Sequence, residues 1–319
     1  RVLAPSCCRK VAEGMEVNTN NDRAMLSQKM VLELLLADVP DVGHKWVSDD
    51  KSHPHGELSL WAKKLGVKLK KNMTVSEILV SNKKAIGLIA NRKKYVFDII
   101  LSGADYAHSE SLLKEKHRMY NNKYWLSRTF APSSLIFFIG LNKKIKNVSH
   151  HTLFFDQGFD EHAKSIYDNP EWPKNPLFYC NFPSISDPSM APVNKEACFI
   201  LIPLAPGIKD SKSEREKYFK IVLKRLESLT NQKIEDSILF KESYCLNEFI
   251  NDYNSYKGNA YGMANTLLQT AFLRPKLKSK KVDNLFFTGQ LTVPGPGVPP
   301  ALISGKLVSK IIEDQYLEA

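Results

Sequence analysis

The segment 284–312, NLFFTGQLTVPGPGVPPALISGKLVSKII, gathers residue types suited to holding a ligand by the backbone. The apolar run 284–288 has the length of a short strand, and Gly289 ends it. Residues 292–300 make a loop rich in proline and glycine. Pro299 and Pro300 then suit the first turn of a helix, where a missing N–H costs nothing. A strand, a tight glycine turn and a helix start offer amide donors and the positive end of a helix dipole to an electron-rich group. The glycines allow close backbone approach, and the prolines stiffen the loop. Ala301, Gly305, Val308 and Ile312 share one helix face, where the first two are small enough to admit a close neighbour. A rigid turn between two core elements fits the same pattern without a ligand.

Few other residues have the spacing of a reaction centre. His150 and His151 are candidates for proton transfer, since histidine titrates near neutral pH. The rival reading makes them surface residues in a turn before a strand that starts at Thr152. Asp252 and Tyr261 are weaker candidates, and Glu235-Asp236 reads as a solvated pair. The eight histidines lack i, i+4 pairing and cysteine neighbours, so no metal site is expected. Cys7, Cys8, Cys180, Cys198 and Cys245 are odd in number and fit neither a zinc site nor a disulfide framework. They read as reduced thiols of a cytoplasmic protein.

At 319 residues, 43% hydrophobic and 25% charged, the chain can bury a substantial core in one large or two ordinary domains. The net charge of +11 is scattered, with clusters at Lys143, Lys144 and Lys146 and at Arg274, Lys276, Lys278, Lys280 and Lys281. No nucleic-acid motif accompanies them. Solvated surface is the first reading, and contact with an anionic membrane is the second. No apolar run is long enough to span a bilayer, 134–141 being strand-sized.

The elements that must position these residues follow from periodicity. Residues 57–65 read as a helix with Gly66 as its C-cap, and 30–36 as a helix or a strand. Short β-prone runs at 67–69, 75–80, 85–90 and 95–101 are separated by polar turns at Asn72, 81–83 and 91–93. Ser102-Gly103-Ala104-Asp105 follows, and the order suggests an α/β nucleotide-type domain. Further strands are expected at 134–141, 151–156, 176–182 and 197–204, in a sheet buried on at least one face. The clearest helix is 213–229, with Phe219, Val222, Leu223, Leu226 and Leu229 as its apolar stripe. Residues 246–256 read as another helix or an irregular segment. The proline-rich stretch 169–206 reads as irregular chain tied onto a sheet.

The segment TGQLTVPGPGVPPALISGKLVSKI resembles the C-terminal flavin-binding segment of the bacterial-type phytoene desaturases, the carotenoid branch of the flavin amine-oxidase-like superfamily. The runs FDIILSGADYAHSESLL, YWLSRTFAPSSLIFFIGL, NVSHHTLFFD and YNSYKGNAYGMANTLLQTAFLRPKLKSKKVDNLFFTGQ resemble the same family, and the likeness covers roughly residues 54–315. It implies an FAD-binding Rossmann-like domain carrying an inserted mixed-sheet substrate domain. On that pattern, 54–105 and 281–319 belong to the cofactor domain, 106–280 to the substrate domain, and 1–53 stay unassigned.

The resemblance also implies non-covalent FAD and dehydrogenation of an apolar forty-carbon polyene delivered from lipid. It places Thr288, Gly289, Gln290, Gly295, Gly297, Val298 and Pro299 at the cofactor. Gly289 and Gln290 would lie by the ribityl or pyrophosphate part. Gly297, Val298 and Pro299 would lie against the isoalloxazine, where the helix dipole favours negative charge on the reduced ring. The expected location is cytoplasmic and peripheral on the membrane, with Trp125, Phe130, Trp172 and the lysine clusters as candidate contacts. The family's opening G-x-G-x-x-G fingerprint does not occur here, so a chain lacking that N-terminal segment is expected. A carotenoid cis–trans isomerase on the same fold and a non-catalytic membrane-surface protein are the alternatives.

Overall fold

The computed structural model describes residues 66–68 and 70–316. The helix expected at 57–65, the segment 30–36, and Cys7 and Cys8 lie outside the described residues. The chain divides into two compact units, one formed by Arg1–Ser127 with Asn265–Ala319 and the other by Arg128–Ala264. The inserted unit is thus shorter than the 106–280 segment read from the sequence. Residues flanking it belong to the first unit for a visible reason. The Tyr106 ring stacks on Phe287 with centroids 4.1 Å apart, and its hydroxyl donates to the Lys276 carbonyl at 2.9 Å.

The first unit opens with an antiparallel meander, β1 Val75–Ser81, β2 Lys84–Ala90 and β3 Lys93–Tyr95. Asn82 and Lys83, then Asn91 and Arg92, have positive φ. Paired left-handed residues match the twist of two-residue hairpins, which is why the polar turns mark both corners. Gly87 cannot be replaced cheaply, since a Cβ there would stand 2.0 Å from the Tyr95 carbonyl oxygen. The expected strand 95–101 is broken, because β3 stops at Tyr95 and β4 covers only Ile100–Ser102. Asp105 caps α1, Tyr106–Ser111, by accepting from the amides of Ala107 and His108. Asn121 caps α2, Asn122–Leu126, in the same way. Residues 67 and 68 are not in a strand, and Leu69 lies outside the described residues.

The second unit contains β5 Ser133–Leu141, β6 His151–Phe154, α3 Phe159–Tyr167, β7 Phe178–Asn181, β8 Glu196–Leu204, α4 Lys212–Thr230, β9 Ile238–Tyr244 and α5 Leu246–Tyr253. Its sheet order is β6-β7-β8-β5-β9, and every pairing is antiparallel where a mixed sheet was expected. Alternation decides its two faces. Leu135, Phe137, Ile139 and Leu141 of β5 and Cys198, Ile200, Ile202 and Leu204 of β8 are buried with Phe219, Val222, Leu223 and Leu226 of α4. Each such side chain contributes roughly 1.5–3 kcal/mol of burial. Leu229 lies off this stripe and is exposed, and Ser211 caps the helix. Arg215 of α4 bridges Asp210 and Glu248 at 2.5 and 2.7 Å, tying the helix to its entry loop and to α5.

The chain then returns to the first unit with β10 Leu285–Phe287 and α6 Val298–Tyr316. β10 runs parallel to β4, with Ile100 opposite Leu285, Leu101 opposite Phe286 and Ser102 opposite Phe287. Buried Asn284 splices this pair to the meander. Its amide nitrogen donates to the Ala85 and Asp98 carbonyls at 2.8 and 2.6 Å, and its oxygen accepts from the Ala85 amide at 2.7 Å. Phe286, Leu277 and Val308 pack together under α6, with Ile311 and Ile312 against them.

Glu110 of α1 is buried and accepts from the amides of Met119 and Tyr120, both at 2.8 Å. Burial dominates and pushes its carboxyl up to about 7, against those two bonds and the pull of Arg118 and Lys281. A carboxyl raised in the folded state stabilises the fold fully only below its unfolded pKa. That contribution, about 3 kcal/mol at most, should disappear as pH rises from about 4.5 to about 7. Glu110→Gln should flatten this part of the stability–pH curve in urea titrations, and an unchanged slope would refute the assignment.

Candidate functional site

The carboxyl ends of β4 and β10 form the setting. The Thr288 amide donates to the Ser102 carbonyl at 3.0 Å, so the parallel pairing runs to the last residue before each glycine turn, Gly103 and Gly289. Gly289, Gly295 and Gly297 all have positive φ, at 103°, 139° and 105°. A Cβ added at Gly289 would meet nothing nearer than the Gly103 carbonyl at 3.8 Å. The backbone at Gly289 is therefore bare at the carboxyl ends of parallel strands, the end at which open α/β sheets bind ligands.

Two side chains that the sequence reading did not assign to this site hold the turn. The Ser304 hydroxyl donates to the Ala301 carbonyl and accepts from the Gly289 amide at 2.8 Å, which leaves Thr288 as donor in its 2.7 Å bond to Ser304. Thr292 closes the corner, giving its amide and hydroxyl to the Gly289 carbonyl at 3.0 and 2.8 Å. The second is Arg274, which the sequence grouped with surface lysines. It is 1% exposed. Its guanidinium donates to the carbonyls of Thr292 at 2.8 Å, Gln290 at 2.9 Å and Gln269 at 3.0 Å, and to Asn265 Oδ1 at 3.0 Å. Burial lowers its pKa from the ordinary arginine value. Gly295 sits against this group: a Cβ there would stand 3.1 Å from Asn265 Oδ1 and 3.7 Å from the guanidinium carbon.

The start of α6 offers less than an ordinary helix N-terminus. Pro299 and Pro300 carry no N–H, and the Ala301 amide donates to the Gly297 carbonyl at 3.0 Å. Among the described residues only Val298 keeps an unpaired amide in the first turn, and its side chain is 70% exposed. The first turn thus offers a single amide at the positive end of the helix dipole.

The second unit has a sheet face turned away from its core. In register across β6, β7, β8, β5 and β9 lie His151, Asn181, Phe199, Phe138 and Glu242. The next row holds Leu153, Tyr179, Leu201, Ile136 and Tyr244. The middle of this face is apolar, and Phe138 is 46% exposed. Phe240 lies over Gly140, where a Cβ would stand 2.1 Å from the ring. His150 and His151 are both exposed or half-buried at its edge, His150 bonded to Ser186 at 2.7 Å and His151 to Tyr179 at 2.7 Å. Asp252 accepts from the Tyr244 hydroxyl at 2.8 Å, and Tyr261 is exposed. Trp125 and Phe130 are buried, and Trp172 donates to the Lys209 carbonyl.

Parallel strands that end in glycine turns, interrupted by an antiparallel insertion, fit an α/β ligand-binding fold. Residues 57–312 match the flavin containing amine oxidoreductase family, and the chain belongs to it. It is 39% identical over 219 residues to the carotenoid 3,4-desaturase of Haloarcula japonica, covering 68% of this chain and 44% of that protein. It is 29% identical over 261 residues to the neurosporene-forming phytoene desaturase of Rhodobacter capsulatus, covering 78% and 50%. An oxidoreductase from Methanosarcina mazei shares the fold with a TM-score of 0.53 at 15% identity, covering 79% of this chain and 52% of that one. The chain thus spans about half the length of the curated relatives it matches.

Arg274→Gln removes most of the fork that binds the turn carbonyls. It should cost about 3 kcal/mol and speed amide exchange from Gln290 through Val298. Exchange as slow as in the parent chain would show that the turn is held by something else.

Proposed function

We propose that the protein is an FAD-dependent desaturase of an acyclic forty-carbon carotenoid precursor, phytoene or a related polyene, working at a membrane surface. The bare glycine turn at the ends of β4 and β10 carries this reading, together with the likeness to carotenoid desaturases. Desaturation takes a hydride and a proton from adjacent carbons and leaves a double bond between them. Bound flavin would supply the acceptor for the electron pair, and the proton passes to a base or to water.

The chain's own part is binding and orientation. Gly289 and Gln290 would flank the ribityl or pyrophosphate part of FAD, with Thr288 and Gly295 fixing the turn. Gly297, Val298 and Pro299 would meet the ring, the Val298 amide donating at its electron-rich edge. The open sheet face of the second unit provides apolar and aromatic contact for a polyene, whose burial excludes water without specific polar partners.

FAD binding can be read from flavin fluorescence on titration of the full chain. Gly297→Val forces a β-branched residue into a positive-φ position, and Val298→Glu places a carboxylate at an exposed helix start. Both should weaken FAD binding about tenfold or more. The glutamate variant sits on the surface and should keep the parent melting temperature. If both variants hold FAD as the parent does, the turn is not the flavin site.

Membrane contact is supported by Leu267, Leu268 and Phe272, which are 89%, 77% and 75% exposed, and by exposed Lys280 and Lys281. Among the described residues no helix is long and apolar enough to cross a membrane. Exposed apolar side chains at 267–272, where Lys276 Nζ donates to the Phe272 carbonyl, fit contact with one leaflet. The chain should sediment with vesicles of phosphatidylcholine and phosphatidylglycerol, less so in high salt. The double variant Leu268→Glu, Phe272→Glu should stay in the supernatant, and equal sedimentation of both proteins would exclude this surface.

A further inference from the structure

The turn between β10 and α6 is built around a buried positive charge. Arg274 is 1% exposed, and its guanidinium donates to the backbone carbonyls of Thr292, Gln290 and Gln269 and to the side-chain amide oxygen of Asn265. These four acceptors are neutral dipoles. They solvate the charge without cancelling it. Burial lowers the pKa of the group, but an arginine starts so high that it keeps its proton at any working pH. Holding carbonyls in a fan calls for the planar fork and not for the charge.

The charge reaches the loop at short range. A Cβ added at Gly295 would stand 3.7 Å from the guanidinium carbon and from Nη1, and 3.1 Å from Asn265 Oδ1. Glycine therefore lets the backbone close on the cation with no side chain between them. Leu291 and Thr292, on the same loop, are buried, so water screens the charge little on this side. Gly297 follows two residues later, at most about 7 Å of chain from Gly295. With Val298 and Pro299 it is the stretch proposed above to meet the isoalloxazine.

We infer that Arg274 tunes the redox balance of a flavin held at this turn, its charge favouring the reduced, anionic ring over the oxidised one. The inference rests on the reading that the turn takes FAD. In desaturation one C–H bond of the substrate breaks and its hydrogen leaves with the electron pair, while the adjacent carbon gives its proton to a base or to water. The substrate is oxidised, the acceptor is reduced, and one negative charge is left on the acceptor. A fixed cation acts on that charge before any substrate contact is made. A unit charge about 10 Å away, across an effective dielectric of roughly 20, favours one negative charge about tenfold or more. Arg274 touches no reacting atom and works through its field, in the same sense as the dipole of α6.

The test uses the full chain loaded with FAD and freed of unbound cofactor. The flavin is reduced slowly without air beside a dye of known potential, and the ratio of reduced to oxidised flavin is read from absorbance at each dye ratio. Two variants separate charge from shape. Asn265→Asp keeps the whole fan and sets a carboxylate against the guanidinium, and because residue 265 is exposed the change should cost the fold little. It should lower the reduced-to-oxidised ratio about fivefold at a given dye poise, roughly 20 mV for a two-electron couple. Amide exchange from Gln290 through Val298 should stay as slow as in the parent. Arg274→Lys keeps the charge and loses the fork, so it should speed that exchange and hold the ratio within about twofold of the parent.

An Asn265→Asp chain with the parent's ratio, or an Arg274→Lys chain whose ratio falls as far as fivefold, overturns the inference and leaves the FAD reading standing. Loss of FAD from both variants assigns Arg274 to the shape of the turn alone and overturns it as well. A parent chain that holds no FAD overturns both this inference and the reading beneath it.

Discussion

Backbone carbonyls that leave a strand and enter no helix must still find donors when they are buried. The segment between β10 and α6 is such a case, and the Arg274 guanidinium answers it by gathering the carbonyls of Gln269, Gln290 and Thr292 into one fan. A lysine offers a compact point charge and lacks a planar fork, so it could not reach the same three oxygens together. Ser304 works from the other side, fastening Thr288 and Gly289 to the second turn of α6. With the turn fixed at both edges, Gly289 can stay bare. The desolvation of one cation is the cost of a loop that keeps its shape with almost no regular structure of its own.

The parallel pair and the five-stranded sheet serve different ends because of how their strands pair. The parallel pair β4 and β10 ends both strands at the same edge, so two glycine turns meet there. The antiparallel sheet of the second unit alternates strictly, burying one face on α4 and leaving the other available. Near-continuous apolar runs such as ILIPL in β8 reflect that both faces are apolar, though only one is core.

Much of this was legible in the sequence. Strands 133–141, 178–181 and 196–204 and helix 212–230 lie within two residues of their expected positions, since hydrophobic period and turn chemistry are local signals. β9 was not foreseen, because Lys241 and Glu242 break its apolar pattern and its Phe240 packs over Gly140 on the neighbouring strand, a contact invisible in one dimension. The glycine turn and the prolines at the start of α6 were read directly. Arg274 and Ser304 were not, because an arginine among lysines and a serine in a helix look like surface residues. Only the fold brings Arg274 to Gln290 and Ser304 to Thr288. Single-residue chemistry at a distance is what a one-dimensional reading loses.

The start of α6 bears on which part of a flavin cofactor this end of the chain suits. A phosphate calls for several converging amides, the usual gift of a helix N-terminus. Here two prolines delete two donors and Gly297 takes a third through Ala301, leaving Val298 alone. Such a terminus keeps its dipole but loses its cradle. On the proposed flavin reading, such a terminus would suit delocalised negative charge on a ring edge better than a compact dianion, and the exposed valine would offer apolar contact to a ring face. Replacing those prolines would add donors and strengthen the terminus as an anion site, so PGPGVPP favours, within that proposal, the isoalloxazine end of the cofactor over the pyrophosphate.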